Sequence, residues 1–113
     1  MSTDETTRQD AADTLAAVVR LLSRAADMAW DRAARRAPLM TGLGLGAQLA
    51  ASHALALLPE DAPVDEPIPV ETDPVQLLRA TEQLTRLHPV EQFPRGTSQV
   101  IVAIIDLLRE HAS

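Results

Sequence analysis

The chain has 113 residues, a formal net charge of −6 and no cysteine. These values limit the number of domains, the kinds of partner and the kinds of metal site that the protein can have. The length fits one domain with a single core, and the lack of thiols excludes disulfides and thiolate metal sites. The acidic chain has no basic stripe to meet a phosphate backbone, so we expect no nucleic-acid partner. Trp30 and Phe93 are the only aromatic residues. The aliphatic core that must result is more typical of a helix bundle than of a β-sandwich.

The absent residue types and the first ten residues indicate a source and a location. All ten basic residues are arginines, and lysine, asparagine and tyrosine do not occur. This bias against AT-rich codons indicates a GC-rich bacterial genome. Residues 1–10 are polar and carry acids, unlike a secretory signal, so we expect a cytoplasmic protein.

The first predicted helix is long and covers about residues 5–36. Apolar residues recur every three or four positions from Leu15 to Ala33, which is the period of an amphipathic helix. Pro38 ends the helix, because proline disfavours helical geometry at the residue before it. We expect the opposite, charged face to be solvated and linked by ion pairs between successive turns. This face carries Arg20, Arg24, Asp27, Asp31 and Arg35.

The second predicted helix covers about residues 40–58, inside a stretch, 37–58, that has no charged residue. Gly42, Gly44 and Ala47 match a dinucleotide-binding fingerprint, but that loop must follow a strand, and here a helix precedes it. The stretch is also long enough for a membrane anchor, with arginines before it and acids after it. Its scattered polar residues and its many alanines and glycines make insertion the weaker interpretation.

A third interpretation of the same helix is close packing against another helix. Gly42, Gly46, Ala50 and Ala54 form a row of small residues spaced four positions apart. Such a row lets a neighbouring backbone approach closely. We therefore predict a helix–helix seam here, formed either within one chain or between two.

The remaining chain predicts a linker and two further helices. Residues 59–73 contain four prolines and six carboxylates, which indicates an extended linker that runs along one edge of the bundle. Asp73 and Pro74 are a helix cap and a first helical residue, so the third helix covers about 74–87.

The fourth helix covers about 97–111, and it is apolar around most of its girth, so we expect it to be central. Residues 99–105 are also compatible with a strand, but a lone strand would have no ladder partner.

The histidines give no sign of catalysis. His53, His88 and His111 are too far apart for a local metal motif, and the sequence contains no defensible nucleophile–base arrangement. We therefore predict no enzyme, no cofactor and no catalytic or metal-binding residue. A ligand pocket near Trp30, His53 and Asp106 is retained as an alternative.

Together these patterns predict one all-α domain over residues 1–113, a four-helix bundle with a long first helix and an extended acidic linker between helices 2 and 3. Apolar surface on helices 2 and 4 exceeds what a chain of this size covers alone. We predict a non-catalytic interaction or assembly module, such as a regulator, adaptor or cargo-type protein, that binds itself as a homodimer or larger oligomer, or binds another protein. Membrane association through 37–58 and a ligand-binding bundle are the alternatives. The predicted interface residues are Gly42, Gly46, Leu49, Ala50, Ala54, Ile101, Ile104, Ile105 and Leu108.

Overall fold

The computed structural model of the protein describes residues 3–35, 38–64 and 70–112. Within these ranges the chain forms four α-helices and one short 3-10 turn, and no strand. The elements are α1 (Thr3–Arg35), α2 (Met40–Ala56), α3 (Pro74–Thr85), the 3-10 turn Val90–Gln92 and α4 (Thr97–His111). The all-α prediction is confirmed, and residues 99–105 are helical. Helices α2 and α3 each end two residues earlier than predicted, and Arg36 and Ala37 lie outside the described residues.

Helix α1 is the central element of the bundle and spans its whole length. Its 33 residues correspond to about 50 Å of helix at about 1.5 Å per residue, and the long axis of the molecule is 53 Å. It contributes almost half of the buried apolar residues: Ala11, Leu15, Ala16, Val18, Val19, Leu21, Leu22, Ala25, Ala26 and Ala29. The expectation that the fourth helix is central was therefore wrong. Helix α4 packs on α2 and α3, on the side of the bundle away from α1.

The helices follow an up-down-down-up order, which requires one long connection. Trp30 lies over Gly44, and Thr14 contacts His88 beyond the end of α3, so α2 and α3 both run antiparallel to α1. Parallel helices cannot be joined by a tight turn. Pro63 contacts Arg20 and Asp73 lies 3.8 Å from Arg32, so between α2 and α3 the chain returns toward the C-terminal end of α1. Residues 65–69 of the predicted linker lie outside the described residues.

Arginines of α1 bind the linker through its main chain. The guanidinium of Arg20 donates to the carbonyl oxygen of Pro63, and Arg24 Nε donates to the carbonyl oxygen of Glu71 at 2.7 Å. Carbonyls of a segment outside the helices lack the regular partners that a helix supplies, and here two of them accept from side chains. The prediction of a fully solvated charged face was wrong for these two arginines. Arg35 and Asp31 do form the predicted pair between successive turns, at 3.3 Å.

Local contacts fix both ends of α3. Asp73 caps the helix by accepting a hydrogen bond from Val75 N at 3.0 Å, and Pro74 occupies the first turn, as predicted. Beyond the other end, His88 Nε2 lies 3.0 Å from Thr14 Oγ1. The same ring meets Phe93 edge to face, with 5.6 Å between centroids. These contacts hold the connection to α4 against α1.

Candidate interaction surface

Helix α2 is half buried, and its exposed half carries no charged residue. The buried side consists of Leu43, Gly44, Ala47, Ala50, Ala51 and Ala54. Its exposed side, called the α2 face below, consists of Thr41, Gly42, Leu45, Gln48, Leu49, Ser52, Leu55 and Ala56. Leu45, Leu49 and Leu55 are 51%, 62% and 49% exposed. The exposed side of α2 therefore carries three leucines together with the polar but uncharged Thr41, Gln48 and Ser52.

Trp30 borders the α2 face on the side of α1. Its indole lies over Gly44, where an added Cβ would be 3.1 Å from the ring atoms Cδ2 and Cε2. Trp30 Nε1 donates a hydrogen bond to Gln48 Oε1 at 3.2 Å. The ring is 38% exposed, so it adds aromatic surface to the edge of the face. Gly44 is thus a packing position for an aromatic ring and not part of a phosphate-binding loop.

Two shallow grooves flank the α2 face. The groove between α1 and α2 has a volume of about 260 Å³ and is lined by Val19, Ser23, Ala26, Asp27, Gln48, Ala51, Ser52 and Leu55. The groove between α2 and α4 has a volume of about 340 Å³ and is lined by Gly46, Leu49, Ala50, His53, Ala103, Asp106, Leu107 and Glu110. The α2 face is therefore a ridge between two depressions, a shape that suits helix packing.

Gly46 forms the close contact between α2 and α4. A Cβ at this position would overlap the Leu107 side chain, so any larger residue here requires that leucine to shift. Ala50 and Ala54 continue the row and are buried within the chain. Three of the four residues in the small-residue row thus pack inside the monomer, whereas Gly42 has open space around it.

The predicted interface residues fall into three groups in the monomer. Ala50, Ala54 and Ile104 are buried in the chain's own core, and Gly42 and Leu49 are exposed. The other four, Gly46, Ile101, Ile105 and Leu108, are half-buried. Sequence reasoning did not select Leu45, Leu55 or Trp30 for this surface. The i,i+4 spacing of Leu45 and Leu49 was a usable signal for Leu45. Leu55 lies six positions after Leu49, and nothing in the sequence places Trp30 beside Gly44.

The residues proposed for a ligand pocket do not converge. His53 and Asp106 line the same groove between α2 and α4, while Trp30 lies on the α1 side of α2. In the described part of the chain, no group of three or more histidine, aspartate or glutamate side chains is placed to hold a metal ion. A further open cavity of about 700 Å³ lies between Arg8 and residues 90–98. Its walls include Arg8, Arg95 and Glu91, so both signs of charge are present.

The chain gave no match in comparisons with protein-family models, curated proteins and solved structures. Any function must therefore be argued from the surface itself. Among the described residues no helix has both the length and the hydropathy needed to cross a bilayer. Helix α2 has 17 residues, about 25 Å at about 1.5 Å per residue, against a hydrocarbon core of about 30 Å.

Proposed function

We propose that the protein is a non-catalytic helical interaction module of the bacterial cytoplasm that self-associates through the α2 face and the adjoining residues of α4. One observation supports this proposal above all others. The α2 face exposes three leucines and has no charged side chain, although it lies on a protein with 26 charged residues out of 113. Contiguous exposed apolar surface marks contact sites on soluble proteins.

The contrast with α1 shows that the pattern is not a general property of this chain. Exposed positions of α1 carry Asp27, Asp31, Arg32 and Arg35, which is the ordinary composition of a solvated helix face. Helix α2 is shorter, with 17 residues against 33, and it places leucines at its exposed positions. An uncharged surface with exposed leucines, found on one helix only, is suited to contact with another protein chain.

Burial of the exposed leucines supplies part of the free energy that association requires. Full burial of a leucine stabilises by about 1.5–3 kcal/mol, so covering three half-exposed leucines contributes about 2–4 kcal/mol per copy. Association costs about 4–15 kcal/mol in lost freedom of motion. Two copies together supply about 4–8 kcal/mol toward that cost, and Trp30, which borders the α2 face and is partly exposed, adds further apolar area.

Light scattering on three variants tests the proposal. The wild type is expected to show twice the chain mass at micromolar concentration, and Leu49→Glu is expected to show the mass of one chain. Leu87→Glu is the matched control, because Leu87 is 64% exposed but lies between α3 and α4; it should remain dimeric. Val102→Glu, on the exposed side of α4, is expected to weaken the dimer less than Leu49→Glu does. A wild type that stays monomeric over the whole concentration range, or equal masses for Leu49→Glu and Leu87→Glu, would falsify the proposal.

A further inference from the structure

We infer that the self-association rests on an antiparallel contact of α2 with α2 of a second copy, with the two-fold axis crossing the helix near Gln48 and Leu49. The inference depends on the self-association proposed above and specifies its geometry. It follows from the order of large and small residues on the α2 face and from the charges at the two ends of the helix.

An antiparallel arrangement pairs a large side chain with a small one at two places on the α2 face. In that arrangement Leu45 faces the second copy's Ser52, and Leu55 faces the second copy's Gly42. Leu49 then lies beside the second copy's Gln48 at the axis. A large residue opposite a small one allows the two surfaces to interdigitate at the density of a protein interior.

A parallel arrangement places each residue opposite its own copy. Leu45 would meet the second copy's Leu45, while Ser52 would meet the second copy's Ser52. Leucines would then hold the helices apart and leave gaps at Gly42 and Ser52, with a loss of contact energy at every gap. The α2 face therefore packs better against an antiparallel second copy of α2 than against a parallel one.

Charges beyond the ends of α2 favour the same direction. Before α2 the sequence places Arg35 and Arg36, of which Arg36 lies outside the described residues, and after α2 it places Glu60 and Asp61. Arg35 is paired with Asp31, but 78% of its side chain is exposed, so it has donors left for a second carboxylate. Glu60 and Asp61 are exposed.

An antiparallel pair brings Arg35 to the acids of the other copy at both ends, and it also opposes the two helix dipoles. A parallel pair would place arginine against arginine and acid against acid.

Cross-linking through introduced cysteines distinguishes the two directions, and the chain has no native cysteine to interfere. Thr41→Cys and Ala56→Cys place one thiol at each end of the α2 face, where both native residues are exposed. The two positions are about 22 Å apart along the helix at about 1.5 Å per residue. Each variant is purified alone, and the two are then mixed and treated with a short bismaleimide. The mass of each sample is followed by light scattering.

Three outcomes of this experiment are distinguishable. Cross-linking in the mixture, with little in either variant alone, supports the antiparallel contact. Cross-linking of each variant with itself, or a dimer by mass that cross-links in no sample, overturns the antiparallel contact while leaving self-association standing. A monomer by mass, with no cross-link in any sample, overturns the proposed self-association itself.

A charge exchange provides a second test that does not use cysteine. Arg35→Glu alone and Glu60→Arg alone should each raise the dissociation constant of the dimer about three- to ten-fold, because two symmetry-related pairs are lost. The double variant carries both changes and should return to within about two-fold of the wild type. Failure of the double variant to recover would count against the antiparallel contact.

Discussion

At the scale of single residues, the glycines of α2 show how one residue type serves different purposes within two turns. Gly42 has nothing near the position of a Cβ, Gly44 lies under the Trp30 indole, and Gly46 makes room for Leu107. The dinucleotide-binding fingerprint and the row of small residues were two interpretations of the same stretch of sequence. Packing accounts for Gly44 and Gly46, while Gly42 is left on the exposed face.

This difference predicts opposite effects of alanine at two of these glycines. Gly42→Ala should raise the free energy of unfolding by about 0.5–1 kcal/mol, because alanine loses less backbone entropy on folding and meets no neighbour. Gly46→Ala should lower it by about 1 kcal/mol, because the displacement of Leu107 outweighs the same gain. Urea denaturation of both variants in the Leu49→Glu background measures these values without a contribution from association. Equal shifts of the same sign would show that Leu107 moves aside at no cost.

A second prediction at this scale concerns the cap of α3. Asp73→Ala should lower the free energy of unfolding by about 1 kcal/mol, because Val75 N loses its acceptor. Asp73→Asn keeps an acceptor oxygen but removes the charge that lies 3.8 Å from Arg32, and it should cost less than half as much. Chemical denaturation of the two variants checks this order, with Glu71→Ala as the control for loss of a nearby exposed carboxylate. A loss in Asp73→Asn as large as that in Asp73→Ala would assign the effect to the Arg32 pair.

At the scale of whole elements, helix boundaries followed from the sequence and helix orientation did not. The start of α3 was predictable because a cap and a proline act locally, within one turn of Asp73. The buried side of α1 was also predictable, since its apolar residues keep one face. Helix α2 has leucines or alanines on every side, so the period of its sequence is too weak to decide which side the bundle covers. That choice depends on Trp30 and Leu107, which are distant in sequence.

The contacts between α1 and the linker could likewise not be predicted from the hydrophobic period of the sequence. Arg20 and Arg24 lie on a charged face that looked solvated, and only the tertiary path of residues 59–73 gives them carbonyl oxygens to bind. Their role could not be inferred from spacing, because a main-chain acceptor has no sequence signature.

These contacts predict how the linker responds when the arginines are removed. Replacing Arg20 and Arg24 with alanine should speed cleavage after Glu60 and Glu71 by a glutamate-specific protease several-fold, since the linker loses two donors while the helices keep their own contacts. Circular dichroism should show the wild-type helix content. Arg86→Ala is the control, because Arg86 pairs with Glu82 on α3, away from the linker. Unchanged cleavage in the double variant would mean that other contacts hold the linker.

At the scale of the whole molecule, association should be visible in thermal unfolding. A protein that folds together with a second copy has a Tm that rises with concentration, because binding to the native state shifts the folding equilibrium. We expect this rise in the wild type and in Leu87→Glu, and a constant Tm in Leu49→Glu. Scanning calorimetry over a hundred-fold range of concentration measures it. A constant Tm in all three proteins would argue that the fold does not depend on a second copy.

The attachment of the linker to α1 has a consequence for how this protein can change over evolutionary time. Arginines that bind main-chain oxygens recognise the path of a segment and are indifferent to its side chains. Between the proposed dimer contacts Glu60 and Asp61 and the helix cap Asp73, substitutions are therefore expected to accumulate freely as long as the length is kept. An insertion or deletion there would shift the carbonyls out of reach of both arginines. Natural selection in that segment acts on its length and leaves its side chains free to vary.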